Sequence, residues 1–85
     1  MREFTYIIKD EHGVQARPAG LIASSAQGYA ASISVECKEK KADAKRLLSL
    51  MSLGARCGDT LIFRIEGDDE AAAEEAMKRR CEEVI

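Results

Sequence analysis

Near the start of the chain, Phe4, Tyr6 and Ile8 alternate with Glu3, Thr5 and Lys9. Because side chains in a strand alternate between faces, this pattern predicts a half-buried first strand. The polar turn Asp10-Glu11-His12-Gly13 follows, and then Ala19, Ile22, Ala23 and Ala26 recur at helical spacing, with Pro18 in the first turn and Gly28 as a C-terminal stop. Period two returns with Ile33, Val35 and Cys37 facing one way and Ser34, Glu36 and Lys38 the other, so a second strand ends near Lys38. A short third strand is expected around Lys40 to Ala42, provided a neighbour pairs with it. Leu47, Leu48, Leu50, Met51 and Leu53 make a short, strongly apolar helix, with Asp43 as its expected N-cap and Gly54 as its stop. Beyond the turn Ala55–Asp59, Leu61, Phe63 and Ile65 alternate with Thr60, Arg64 and Glu66, and only Ile62 breaks the polar outer face. The last segment opens on Asp68, Asp69 and Glu70, which suit a helix N-terminus, and continues with Ala73, Met77, Cys81 and Val84 along one face. Lys78, Arg79 and Arg80 are expected to complement the dipole at its C-terminal end.

The element order β-α-β-β-α-β-α, with an apolar stripe on each helix and one polar face on each strand, predicts an α+β, two-layer fold. Three helices pack on one face of an open, largely antiparallel sheet. The 85 residues allow one domain, residues 1–85. A chain that is 46% hydrophobic and 33% charged is neither a disordered tail nor a membrane span. Its net charge of −2 supplies no field to attract nucleic acid. Phe4, Tyr6 and Phe63 all read as inward, which leaves no aromatic pair for base stacking. Cys37, Cys57 and Cys81 form no CxxC pair, so neither a disulfide framework nor a zinc site is expected; they read as small buried thiols in a reducing compartment. The first residues lack the apolar block of a signal peptide, and a cytoplasmic location is expected. No cofactor is expected.

The chemistry concentrates in Gly13-Val14-Gln15-Ala16-Arg17-Pro18-Ala19. A helix N-terminus presents free backbone N–H groups, and a guanidinium beside them makes the segment attractive to anions. Pro18 loses nothing there, because its missing donor would have had no intrahelical acceptor. This segment resembles the active-site signature of HPr, the phosphocarrier family of the bacterial phosphoenolpyruvate-dependent sugar phosphotransferase system. Met51-Ser52-Leu53-Gly54, Gly58-Asp59-Thr60 and Glu66-Gly67-Asp68-Asp69-Glu70 extend the likeness over essentially the whole chain. The resemblance implies an open-faced β-sandwich with strand order 1-4-2-3.

The resemblance also exposes a departure. In HPr the third motif position is the histidine that accepts phosphate from enzyme I and passes it to the sugar-specific enzyme II proteins; here it is Gln15. A carboxamide nitrogen is delocalised into its carbonyl and does not attack phosphorus, whereas an imidazole nitrogen keeps a free lone pair. Gln15, Ala16 and Arg17 thus form the remnant of an anion site. His12 is the one histidine and lies upstream in the turn. Glutamine at this position is similar to the catabolite-repression HPr proteins, which regulate transcription. The regulatory serine of HPr, phosphorylated by HPr kinase, is matched by Arg46, while Ser49 and Ser52 lie within the second helix.

What the resemblance leaves is a docking surface of Arg17, Gly20, Leu21, Leu47, Leu48 and Met51. The expected function is a noncatalytic regulatory or protein-binding module, not an enzyme, that contacts a phosphotransferase component, a transcriptional regulator or a metabolic enzyme. The alternative is a working phosphocarrier that uses His12 or another acceptor. The expected state is a monomer or weak dimer without membrane insertion.

Overall fold

The computed structural model describes residues 1–85. In chain order the elements are β1 (Arg2–Ile7), α1 (Ala16–Gln27), β2 (Ser32–Cys37), β3 (Lys40–Asp43), α2 (Leu47–Ser52), β4 (Thr60–Glu66) and α3 (Glu70–Val84). The four strands form one antiparallel sheet in the order β1-β4-β2-β3. Both the order and the α+β open-faced sandwich agree with expectation. β3 gains the partner it needs, with Val35 opposite Ala42 and Cys37 opposite Lys40.

The sheet sends Ile33, Val35, Cys37, Leu61, Phe63 and Ile65 inward, and all six are buried. Helix α1 meets them with Ala19, Ile22, Ala23 and Ala26, and α3 with Ala73, Met77 and Cys81. Alanines on the buried stripe of α1 let its backbone approach α3, while Phe63 fills the centre at 0% exposure. The Phe4 and Phe63 rings stack with centroids 4.7 Å apart. Phe4 and Tyr6 face inward but are only half-buried, because β1 is an edge strand. Its next outward residue, Ile7, is 59% exposed. Apart from Ile7 and the half-buried Ile62, the open face is polar: Arg64 donates to Glu36 at 2.7 Å and lies 3.4 Å from Glu3. No helix is long and apolar enough to cross a membrane.

Several local expectations need correction. Asp43 does not cap α2, since pairing with Ser34 draws it into β3. Its carboxylate instead accepts the Lys45 N–H at 2.9 Å, and Arg46 becomes the cap residue with no side-chain capping bond. Gly28 does end α1, yet in a right-handed conformation (φ −75°) open to any residue; Gly54, at φ +62°, is a left-handed stop after α2. Lys78, Arg79 and Arg80 miss the last turn of α3 because the helix continues to Val84. Lys78 pairs with Glu74, and Arg80 with Glu83. Cys37 and Cys81 are buried, but Cys57 is exposed on the turn before β4, with its thiol 3.6 Å from the Lys9 carbonyl. Burial pushes the Cys81 thiol up to about 12. The β2–β3 hairpin turns on Lys38 and Glu39, both at positive φ (50° and 71°), the pattern of a type I′ turn made without glycine.

Candidate functional site

The candidate site grows from two loops that brace each other. In the first, the Asp10 carboxylate accepts the His12 N–H at 2.8 Å and the Asp10 carbonyl accepts the Gly13 N–H at 3.0 Å. In the second, the Asp59 carboxylate accepts the Arg56 N–H at 2.9 Å and pairs with Lys38 at 3.3 Å. The Arg56 N–H, followed by Lys38, holds the Asp59 carboxyl below the usual carboxylate range. Val14 N–H then donates to the Ala55 carbonyl at 3.1 Å, joining the loops. Gly13 makes the contact possible: its φ is +69°, and a Cβ there would lie 2.6 Å from the Ala55 oxygen. A side chain would force the loops apart.

This bracing delivers Gln15 to the N-cap of α1 in extended conformation (φ −93°, ψ −176°). Its carbonyl accepts the Ala19 N–H at 2.9 Å, but its side chain makes no capping bond. The carboxamide is therefore exposed and uncommitted, beside first-turn N–H groups that lack intrahelical acceptors. No acidic residue lies in that turn, and Arg17 is exposed and forms no ion pair. His12, Gln15, Arg17, Pro18 and Leu21 line one shallow depression of about 450 Å³, together with Asp10 and Glu83. His12 is exposed, with Nε2 3.5 Å from a Glu11 carboxylate oxygen. The depression can offer hydrogen-bond donors to a carboxylate or phosphate oxygen, and His12 is its one imidazole.

Helix α2 packs against α1 and carries the other named residues outside that depression. Leu50 and Leu53 enter the core, whereas Leu47, Leu48 and Met51 are 40%, 78% and 39% exposed. A six-residue helix can bury only one side of so apolar a sequence. Gly20 and Leu21 are half-buried on α1, and Ala16 is exposed. No atom lies within 4 Å of where a Gly20 Cβ would sit, so the surface is open there. Arg46 is exposed at the start of α2, with Nε 3.8 Å from Asp43. Ser49 is half-buried, and Ser52 donates its hydroxyl to the Ser49 carbonyl at 2.7 Å. Neither α1 nor α2 contains a carboxylate. No three or more His, Cys, Asp or Glu side chains converge as metal ligands. Sequence reading missed the positioning role of Asp59 and Ala55; the Arg56-Cys57-Gly58-Asp59 spacing, which suits an aspartate closing a short turn onto a backbone N–H, was the available signal.

Comparison with known proteins gives a consistent result. Residues 2–83 match the family model described as the PTS HPr component phosphorylation site. The HPr-like protein Crh of Halalkalibacterium halodurans is 40% identical over 70 residues, 82% of this chain and 83% of the relative. The crystal structure of HPr-C-His from Thermoanaerobacter tengcongensis superposes with a TM-score of 0.91 at 39% identity, covering 96% of this chain and 92% of that one. The crystal structure of Bacillus subtilis Crh, described as a swapped, intertwined dimer, has a TM-score of 0.77 at 30% identity over 94% of this chain and 92% of that one.

Proposed function

This chain belongs to the HPr family, and from that premise we propose that it is a binding protein built on a phosphocarrier scaffold, with no phosphoryl group of its own to pass on. The observation that carries the reading is Gln15 at the N-cap of α1, where the resemblance puts the phospho-accepting histidine. A carboxamide there can donate to and accept from a partner, and Arg17 can hold a partner's carboxylate, but the carboxamide nitrogen forms no transferable phosphoramidate. HPr-family proteins are themselves carriers, so an enzymatic activity is not part of the proposal. The partner, a phosphotransferase component, a transcriptional regulator or a metabolic enzyme, docks on Arg17, Gly20 and Leu21 of α1 with Leu47, Leu48 and Met51 of α2. An apolar patch rimmed by guanidiniums is suited to such an interface. Arg46 stands at the regulatory-serine position and removes that switch. The protein acts in the cytoplasm as a monomer or weak dimer.

Two measurements test this. Incubation with phosphoenolpyruvate and enzyme I, followed by mass spectrometry under conditions that preserve phosphohistidine, leaves the mass unchanged, while Gln15→His gains one phosphoryl group. A stoichiometric adduct on the natural chain would defeat the reading. Met51→Asp should lower recovery of the natural partner in an affinity pulldown, and equal recovery argues against this docking surface.

A second reading has one observation in its favour: His12 shares the depression with Gln15 and Arg17. If His12 accepts phosphate, the adduct forms on the natural chain and His12→Ala abolishes it.

A further inference from the structure

Away from the docking surface, a cleft of about 570 Å³ runs between the C-terminal half of α1 and α3. Ser24, Ser25, Gly28 and Tyr29 form one wall, and Ala76, Arg79, Arg80 and Glu83 the other. Lys78 turns elsewhere to Glu74, but Arg79 and Arg80, which follow it, both reach this cleft. Arg80 is fixed in place: Nε donates to the Ser25 hydroxyl at 2.8 Å and Nη1 to Glu83 at 3.2 Å. Arg79 is exposed and pairs with no carboxylate. The Ser24 hydroxyl is exposed, and the Ser24 and Tyr29 hydroxyls make no hydrogen bond within the protein. Glu83 is the one carboxylate lining the cleft, and Arg80 already engages it.

The shape of the cleft has its own cause. Gly28 sits at φ −75°, ψ −3°, a conformation any residue adopts, and a Cβ there would make only an ordinary contact, 3.4 Å from the Ser25 carbonyl. The backbone does not require glycine, and the missing side chain keeps the floor between the two helices open. The carbonyl end of α1 is also occupied: Ser25 accepts the Gly28 N–H and Ala26 that of Tyr29, both at 3.2 Å. Its negative end is thereby partly neutralised before a ligand arrives.

We propose that this cleft is a second site, which binds the phosphate group of a small phosphorylated molecule between Arg79 and Arg80 on one wall and the Ser24 and Tyr29 hydroxyls on the other. Two guanidiniums and two hydroxyls are more donors than the two oxygens of a carboxylate use, whereas the three terminal oxygens of a phosphate ester can accept from all four groups. A neutral polyol would leave the free charge of Arg79 unanswered.

The test is a nuclear magnetic resonance titration of the 15N-labelled full chain with inorganic phosphate at fixed pH and ionic strength, with chloride and acetate as comparators. The Ser24, Ser25, Gly28, Arg79 and Arg80 amides should shift to saturation with phosphate and not with chloride. Arg79→Gln weakens binding roughly tenfold or more. Gly28→Met, which the backbone accepts, fills the cleft and abolishes binding while the remaining resonances stay in place. Glycerol 3-phosphate binds at least as tightly as inorganic phosphate. Shifts that never saturate, equal affinity in both variants, acetate binding as tight as phosphate, or rejection of the ester would each overturn the proposal.

Discussion

The N-terminus of α3 and those of α1 and α2 face the same physical problem and solve it differently. Ahead of α3, the Asp69 carboxylate accepts the Ala30 and Ala31 N–H groups at 2.8 and 2.9 Å, and Glu70 accepts the Gly67 N–H at 3.1 Å and pairs with the Met1 ammonium at 3.0 Å. Asp69 and Glu70 each clamp one part of the fold to another. None of the three helices has a side-chain capping bond, but at α1 and α2 the cap residues are Gln15 and Arg46 and no acid lies in either first turn. Arg46 is even the wrong charge for the positive end of a helix. Acidic groups are committed to holding the chain together at α3, whereas the Gln15 side chain at α1 bonds to nothing within the protein. The apolar residues divide the same way, Phe63 and Met77 sealed at 0% exposure and Leu48 left at 78%.

The largest effect that separates the two regions is expected from Phe63→Ala, which should cost about 3–5 kcal/mol in denaturant unfolding. Leu48→Ala should shift stability by less than about 0.5 kcal/mol. Comparable costs would erase the distinction. Acid titration sharpens it next. The backbone N–H groups of Ala30 and Gly67 hold Asp69 and Glu70, respectively, below the ordinary carboxylate range. Groups with lowered folded pKa contribute stability that is fully present above their unfolded values, about 4, and is lost as pH falls through the folded ones. Asp69→Asn should therefore flatten the acid limb of a stability–pH curve, and Gln15→Ala should leave it unchanged.

A smaller effect lies in the hairpin. Glu39→Gly relieves a left-handed non-glycine residue and should raise stability by about 0.5–1 kcal/mol, read as a higher denaturant midpoint at unchanged slope. Smallest in energy, a thiol reagent should label Cys57 promptly and reach Cys37 and Cys81 only on unfolding. Prompt reaction of all three would mean that the sealed region opens easily.

The sequence disclosed the layout because periodicity reports burial directly: each alternating run became a strand, and each stripe such as Ala19, Ile22, Ala23 and Ala26 became a buried helix face. It misplaced what depends on neighbours distant in sequence. Asp43 looked like a cap until Ser34 paired with it, and Cys57 looked like a core thiol because spacing says nothing about a loop's exposure. At the candidate site the motif showed Gln15 and Arg17 at once. The bracing of Val14 by Ala55 stayed hidden because it joins segments some forty residues apart through backbone groups. Likewise, the cleft between α1 and α3 exists only once those helices lie side by side.

The order β1-β4-β2-β3 carries a consequence for biosynthesis. The interior strand that joins β1 to β2 is the last of the four to leave the ribosome, so a nascent chain reaching only Gly54 has no partner for its first strand. Arrest at that length should yield a protease-sensitive intermediate, and the complete sheet should form only after Glu66 has emerged from the exit tunnel.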